Sequence, residues 1–261
     1  VQTMGQLLNP KTMIRNIVGS AGFAPIRNIS DTVASVVDAP LSLATGKRSQ
    51  MRPRLLTQAK GAVEGARFGL EDTRLGVQTG RLSTQFDIPQ QSVFSDRWWA
   101  YPGRKGEKAM NYVLRVPDRV FSEAALKESL QNQMRAARVD VPTPEMKDRA
   151  FLEAARATFQ DDNAATWVFT HIKKALNVGK DFGLGDLIIK YPKTPASLLD
   201  KGIRYSPAGF IKTVVEAAKP LFGRPFNQRE FVQSFGQALT GSTMLVGTGA
   251  LLSHLGIITG E

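Results

Sequence analysis

Hydrophobic positions recur at helical spacing along almost the whole chain. Met13, Ile14, Ile17 and Val18 follow Asn9-Pro10, where Asn9 can cap and Pro10 suits a first helical turn that lacks N–H partners anyway. Gly19 to Pro25 reads as a break. Ile26, Ile29, Val33, Val36 and Val37 then give a second helix, Pro25 to Ala39, its apolar face, and Pro40 stops or bends it. A long helix follows from Pro53 to about Gly80. Residues 80–105 read as irregular, with Phe94, Trp98, Trp99 and Tyr101 anchoring a connection. Lys105 to Arg115 is helical, and Pro117 opens a further helix with Val120, Phe121, Ala124, Leu126, Leu130 and Met134 as core candidates.

Thr143-Pro144-Glu145 supplies a cap, a first-turn proline and a first-turn acid. The helix it starts, to about Phe159, turns Met146, Phe151, Leu152, Ala155 and Phe159 inward. Asp161-Asp162-Asn163 is a turn and cap ahead of a helix marked by Trp167, Val168, Ile172 and Leu176. Phe182 to Ile189 fits strand or helix. Thr194-Pro195 and Ser206-Pro207 repeat the hydroxyl-then-proline start, and the second opens a helix with Phe210, Ile211, Val214, Val215 and Ala218 as a stripe. Pro220 ends it, and Asn227 caps the final segment. No sustained alternation of strand type appears, so the chain is expected to be all-α. It is expected to be a multi-helix assembly with long helices and a glycine-rich apolar C-terminal helical segment. The expected divisions are an N-terminal helical arm (1–80), an irregular aromatic connection (81–104), a helical bundle (105–230) and the apolar segment (231–261).

That last segment constrains everything before it. From Phe231 to Gly260 no side chain is charged, and Glu230 and Glu261 bracket the run. About 20 apolar residues suffice to cross a bilayer, so length alone permits a span. Gln233, Ser234, Gln237, Thr240, Ser242, Thr243 and His254 weaken that reading, because polar groups in lipid need partners. Ala238/Ser242, Thr243/Gly247 and Gly249/Ser253 form small-residue steps that let helices approach closely, in membranes or in protein. Gly241, Gly247, Gly249, Leu251, Leu252 and Ser253 are therefore the candidate oligomer or membrane residues. Two readings stand: a helix buried in a core or between subunits, and a membrane-active segment. Either hides this stretch from water.

A second glycine series lies in the long helix. Gly61, Gly65, Gly69 and Thr73 fall four apart on one face. Each interior glycine costs a helix about 1 kcal/mol relative to alanine, so the repetition points to a groove for a neighbouring helix. Lys60, Glu64, Arg67, Glu71 and Arg74 rule out a membrane span there.

Charge adds one candidate site. The 261 residues carry a net charge of +11, which favours a polyanionic partner, nucleic acid or an anionic lipid surface. Residues 39–63 hold no acid and five bases, Lys47, Arg48, Arg52, Arg54 and Lys60, a candidate phosphate or DNA contact zone as well as an ordinary solvated loop. No aromatic residue is interleaved, so base stacking has no support there. The chain has no cysteine and two histidines, His171 and His254. That excludes disulfides, thiolate metal sites and cysteine nucleophiles, and it disfavours a zinc site. Gly46-Lys47 lacks the earlier glycine of a phosphate loop, and neither Gly183-Leu184-Gly185 nor Gly247-Thr248-Gly249 completes a dinucleotide fingerprint. No nucleophile elbow or zinc-protease helix occurs. The expectation is a non-enzymatic chain with no cofactor, cut from a longer polypeptide.

Three stretches carry a resemblance: Asn9-Pro10-Lys11-Thr12-Met13-Ile14-Arg15-Asn16, Thr194-Pro195-Ala196 through Tyr205-Ser206-Pro207, and Leu239-Thr240-Gly241 through Ile258-Thr259-Gly260. In this order the chain resembles the C-terminal helical region of the large polyvalent proteins of tailed bacteriophages, and it is similar to internal virion proteins ejected with the genome. It departs at Gly19-Ser20, where Gly-Asn is expected. The resemblance implies residence inside the virion, near the portal, and passage to the host envelope or cytoplasm with the DNA. The partners implied are further copies or other virion proteins, with genomic DNA and the host membrane as alternatives. It transfers no catalytic residue.

Overall fold

The computed structural model describes residues 10–75, 101–159, 164–176 and 193–256. Among them every regular element is helical and no strand occurs, so the all-α class holds. The helices are α1 (Pro10–Thr45), α2 (Leu55–Leu75), α3 (Tyr101–Ala137), α4 (Pro144–Ala157), α5 (Ala164–Leu176), α6 (Lys193–Arg204), α7 (Gly209–Ala218) and α8 (Gln228–His254). A 3-10 turn, Lys219–Phe222, continues α7. Asn9, Phe94, Trp98, Trp99, Asp161, Asp162, Asn163 and the 182–189 piece lie outside the described residues.

Several boundaries differ from the expected ones. Pro25 and Pro40 do not end helices but lie inside α1, which runs unbroken through Gly19 and Gly22. Pro117 likewise sits inside α3, and Tyr101 to Arg104 already belong to that helix. An interior proline removes one backbone hydrogen bond at a cost of about 3 kcal/mol, so packing outweighs propensity at these sites. The cap signals fare better. Thr143 Oγ1 accepts from the Met146 N–H at 3.3 Å, and Asn227 Oδ1 accepts from the Glu230 N–H at 3.2 Å. Ser206 does not cap: its hydroxyl donates back to Ile203 O at 2.8 Å, and α7 starts at Gly209 instead.

The chain groups into two units, each drawn from separated stretches: 1–24, 54–131 and 141–161 in the first, and 25–53, 132–140 and 162–261 in the second. In the first unit α2 runs antiparallel to α3. A Cβ on Gly61 would meet Glu123 O at 2.6 Å, one on Gly65 would overlap the Arg119 backbone, and one on Gly69 would lie 2.9 Å from Val116 Cα. The expected glycine groove is thus filled by helix backbone, and Thr73 closes the series by donating to Gly69 O at 2.7 Å. Arg119, buried in this seam, donates to Asp72 at 3.0 and 3.1 Å and to Glu123 at 3.2 Å. Burial acts most on Glu123 and raises its pKa against the opposing pull of Arg119. On the other side of α3, Ala125 packs with Ala154 of α4, flanked by Leu126, Phe151 and Ala157. Ser129 donates to Glu153 there at 2.6 Å.

In the second unit α8 runs antiparallel to the second half of α1. A Cβ on Gly236 would meet Ser30 O at 2.6 Å, and Gln228, two turns earlier, reaches Asp38 at 2.8 Å. Gly241 lies hard against the Tyr205 backbone at the end of α6. Phe235 meets Phe210 of α7 edge-on at 5.7 Å, Thr213 donates to Ser234 at 3.2 Å, and Lys212 pairs with Glu230. Burial pushes the Tyr205 phenol well above its usual range.

The faces turned inward are not the ones hydrophobicity selects. In α3 the buried residues are Arg119, Ser122, Ala125, Glu128, Ser129, Asn132 and Gln133, while the large candidates Val120, Phe121, Leu126, Leu130 and Met134 are only partly covered. In α1 Ser30, Ala34, Ser35 and Asp38 are buried, and Ile29 and Val36 are exposed. In α4 the buried pair is Ala150 and Ala154, with Leu152 exposed. At the glycine contacts helices this close leave no room for a side chain, and alanine and serine take much of the rest of the buried faces.

Two glycine substitutions separate these environments. Gly65→Leu is expected to destabilise the first unit by about 1–3 kcal/mol or more through overpacking. Gly247→Leu, at a position with open space around it in the single chain, is expected to leave the dilute, unassociated chain unchanged or more stable, since leucine outranks glycine in a helix. Paired melting temperatures by circular dichroism decide it, and an unchanged Gly65→Leu midpoint refutes the close-packing account.

Candidate functional site

The basic segment is built on a carboxylate. Asp38, fully buried near the end of α1, accepts from the Ser49 N–H at 2.9 Å, the Gln50 N–H at 3.0 Å, the Ser49 hydroxyl and the Gln228 amide at 2.8 Å. Arg48 Nε stands 3.4 Å from it. Burial acts to raise the Asp38 pKa, but the hydrogen bonds from Ser49, Gln50 and Gln228 together outweigh it and hold the carboxyl below its usual value. The loop 46–53 is therefore wrapped around a buried negative charge.

This wrapping sorts the five candidate phosphate contacts. Arg48 is committed to structure: besides Asp38 it donates to Ser35 O at 3.0 Å and Gln50 O at 3.3 Å. Lys47, Arg52, Arg54 and Lys60 keep exposed side chains. The backbones of three of them are occupied. Lys47 O accepts from Gln228 at 3.1 Å, Arg52 O accepts from Arg135 at 3.0 Å, and the Arg54 N–H donates to Glu128 at 2.9 Å. Asn132 bridges Met51 through both its N–H at 3.0 Å and its C=O at 2.6 Å. Arg229, at the start of α8, donates to Ser49 O. Lys47 and Arg52 belong to the second unit, Arg54 and Lys60 to the first.

The apolar C-terminal segment is divided in two. Over its first half Val232, Ser234, Gly236, Ala238, Thr240 and Gly241 are buried against α1, α6 and α7. Beyond Ser242 the helix leaves that shelter. Met244, Leu245, Val246, Leu251 and Leu255 are exposed, as is Ser253, and nothing approaches the Cβ positions of Gly247 or Gly249. Leu252 is half-covered. Of the six candidate residues, Gly241 serves internal packing and the other five lie on the projecting half. Among the described residues no helix is long and apolar enough to cross a membrane.

Other helices of the second unit also turn apolar side chains outward. α5 exposes Trp167, Val168 and Ile172, with Trp167 stacked on His171 at 4.0 Å. α6 exposes Leu198, Leu199 and Ile203, and α7 exposes Ile211, Val214 and Val215. The α7 stripe was legible in the sequence, but it points to solvent, and Thr213 and Glu216 occupy the covered side. What sequence reasoning missed is Asp38. Its signal was an acid in line with Ser30, Ala34 and Ser35 on the small-residue face of α1, eleven and twelve residues before the Ser49-Gln50 amides that it binds.

No family model matches the chain, and no curated protein or solved structure matches it.

Asp38 has a depressed folded pKa, so it contributes stability above the unfolded value of 3.8, and that contribution is lost as pH falls through the lower folded value. Asp38→Ala is expected to destabilise the second unit at neutral pH by about 1–3 kcal/mol for each buried donor left unpaired. It is also expected to flatten the fall in stability below about pH 4. Urea midpoints of both proteins across pH 3–7 check the magnitude and the sign.

Proposed function

We propose that this chain is a non-catalytic packing module that assembles with further copies of itself. It would serve as a helical part of an internal virion protein of a tailed phage, held in the capsid near the portal and delivered with the genome. The observation that carries the assembly is the inverted polarity of the helices. Their seams use alanine, glycine, serine and paired charges, while large aliphatic side chains face outward on α5, α6 and the outer half of α8. Exposed apolar patches on a folded chain commonly mark interaction sites.

The projecting half of α8 supports the choice of a second copy. It carries no charge from Phe231 onward, so it offers an ionic partner nothing. Its Thr243/Gly247 and Gly249/Ser253 steps repeat the device that Gly236 and Gly241 use within the chain, where a missing side chain admits a neighbour's backbone. Two such helices from two copies can therefore pack as α8 packs on α1. The phage assignment rests on the resemblance in sequence, and the assembly stands without it.

Leu245→Ser combined with Val246→Ser tests the assembly. Each buried aliphatic side chain is worth about 1.5–3 kcal/mol, so the double variant is expected to weaken association by roughly a hundredfold or more. Both residues are exposed in the single chain, so its helix content should not change. Sedimentation velocity over a concentration series reads the outcome. A wild-type chain that sediments as a monomer throughout, or a variant that assembles like wild type, refutes the proposal.

A further inference from the structure

We infer that α7 and the 3-10 turn after it form a docking surface for an anionic lipid bilayer, lying in the interface without crossing it. The inference does not depend on self-association or on the phage reading. Ile211, Val214, Val215, Ala218 and Phe222 fall at helical spacing along one line, and Gly209, Thr213 and Glu216 fall on the opposite, buried side. The line ends in a tip where two adjacent large apolar residues stand out: Leu221 is 84% exposed and Phe222 79%. A pair this exposed at a turn is convex. It suits insertion between lipid headgroups better than the flat, reciprocal contact of two helices.

The charges around the tip select the kind of surface. From Ala217 to Arg229 the chain has Lys219, Arg224 and Arg229 and no acid. Arg224 is exposed immediately after the turn, whereas Arg229 is turned inward to Ser49. Lys212 and Lys219, seven residues apart, lie on one flank between the apolar line and the buried side. Both are held in ion pairs, Lys212 with Glu230 and Lys219 with Glu216, so their stems border the apolar line while the exposed Arg224 is the base nearest the tip. The turn also closes on itself. Pro220 has no N–H, the Gly223 N–H bonds Pro220 O at 3.1 Å, and the Arg224 N–H bonds Lys219 O at 3.0 Å. Gly223, at φ 69°, supplies the left-handed residue this closure needs.

The experiment is flotation of the full chain with vesicles of equal phosphatidylglycerol and phosphatidylcholine, and with vesicles of phosphatidylcholine alone. The wild type is expected to float with the mixed vesicles and far less with the neutral ones, and to detach as salt rises. Leu221→Ser with Phe222→Ser is expected to lower binding at least tenfold without changing the sedimenting mass. Lys219→Gln with Arg224→Gln is expected to lower it several-fold on mixed vesicles only. Leu245→Ser with Val246→Ser, on α8, is expected to float like wild type, which keeps this test separate from that of assembly. The inference is overturned if the wild type does not float, if the Leu221/Phe222 variant floats unchanged, or if the Lys219/Arg224 variant binds both vesicle types as wild type does. It is equally overturned if the Leu221/Phe222 variant loses assembly mass while keeping lipid binding, because a second copy then covers the tip.

Discussion

Close approach of helix backbones is the constraint on which the rest of this structure depends. Gly61, Gly65 and Gly69 admit α3 in one unit, and Gly236 and Gly241 admit α1 and the end of α6 in the other. At the points of closest approach a side chain is excluded altogether, and alanine and serine are favoured around them. Apolar bulk is therefore displaced to the flanks and outer faces. The buried charges in the seams have partners, as Arg119 has Asp72 and Asp38 has the Ser49 and Gln50 amides.

The helical class was legible because spacing and caps agree: Thr143 and Asn227 cap as their side chains allow, and no stretch alternates with period two. The glycine groove on α2 was legible for a related reason. Three glycines at one spacing are costly in a helix and need compensation. Orientation was not legible. Hydrophobic periodicity finds the apolar face correctly in α1, α3 and α7, but the assumption that this face turns inward fails when the seam is made of small residues. Ile29, Val36, Ile211 and Val214 are exposed for that reason. Proline was over-read at Pro25 and Pro117, where packing carries a helix through a missing hydrogen bond, and at Pro40 the helix does not stop.

The basic loop illustrates why a charge cluster in sequence is not yet a surface. Arg48 looks like its neighbours Lys47 and Arg52 until Asp38 is placed beside it. A single buried acid outside the run, on α1, converts one of the five bases into an internal strut. Only the fold shows which member of the cluster is taken.

The small-residue seams also set how stability responds to temperature. The heat-capacity increment of unfolding tracks newly exposed apolar area and is offset by exposed polar area, and it usually amounts to about 12–15 cal/mol/K per residue. Here the residues hidden within each unit are dominated by alanine, serine, threonine and charged groups, and much of the aliphatic surface is already wet in the folded chain. For the described residues this favours a smaller heat-capacity increment, and so a flatter stability curve, than the average per residue. The thermal character common in globular proteins would belong to whatever encloses the chain's outer faces.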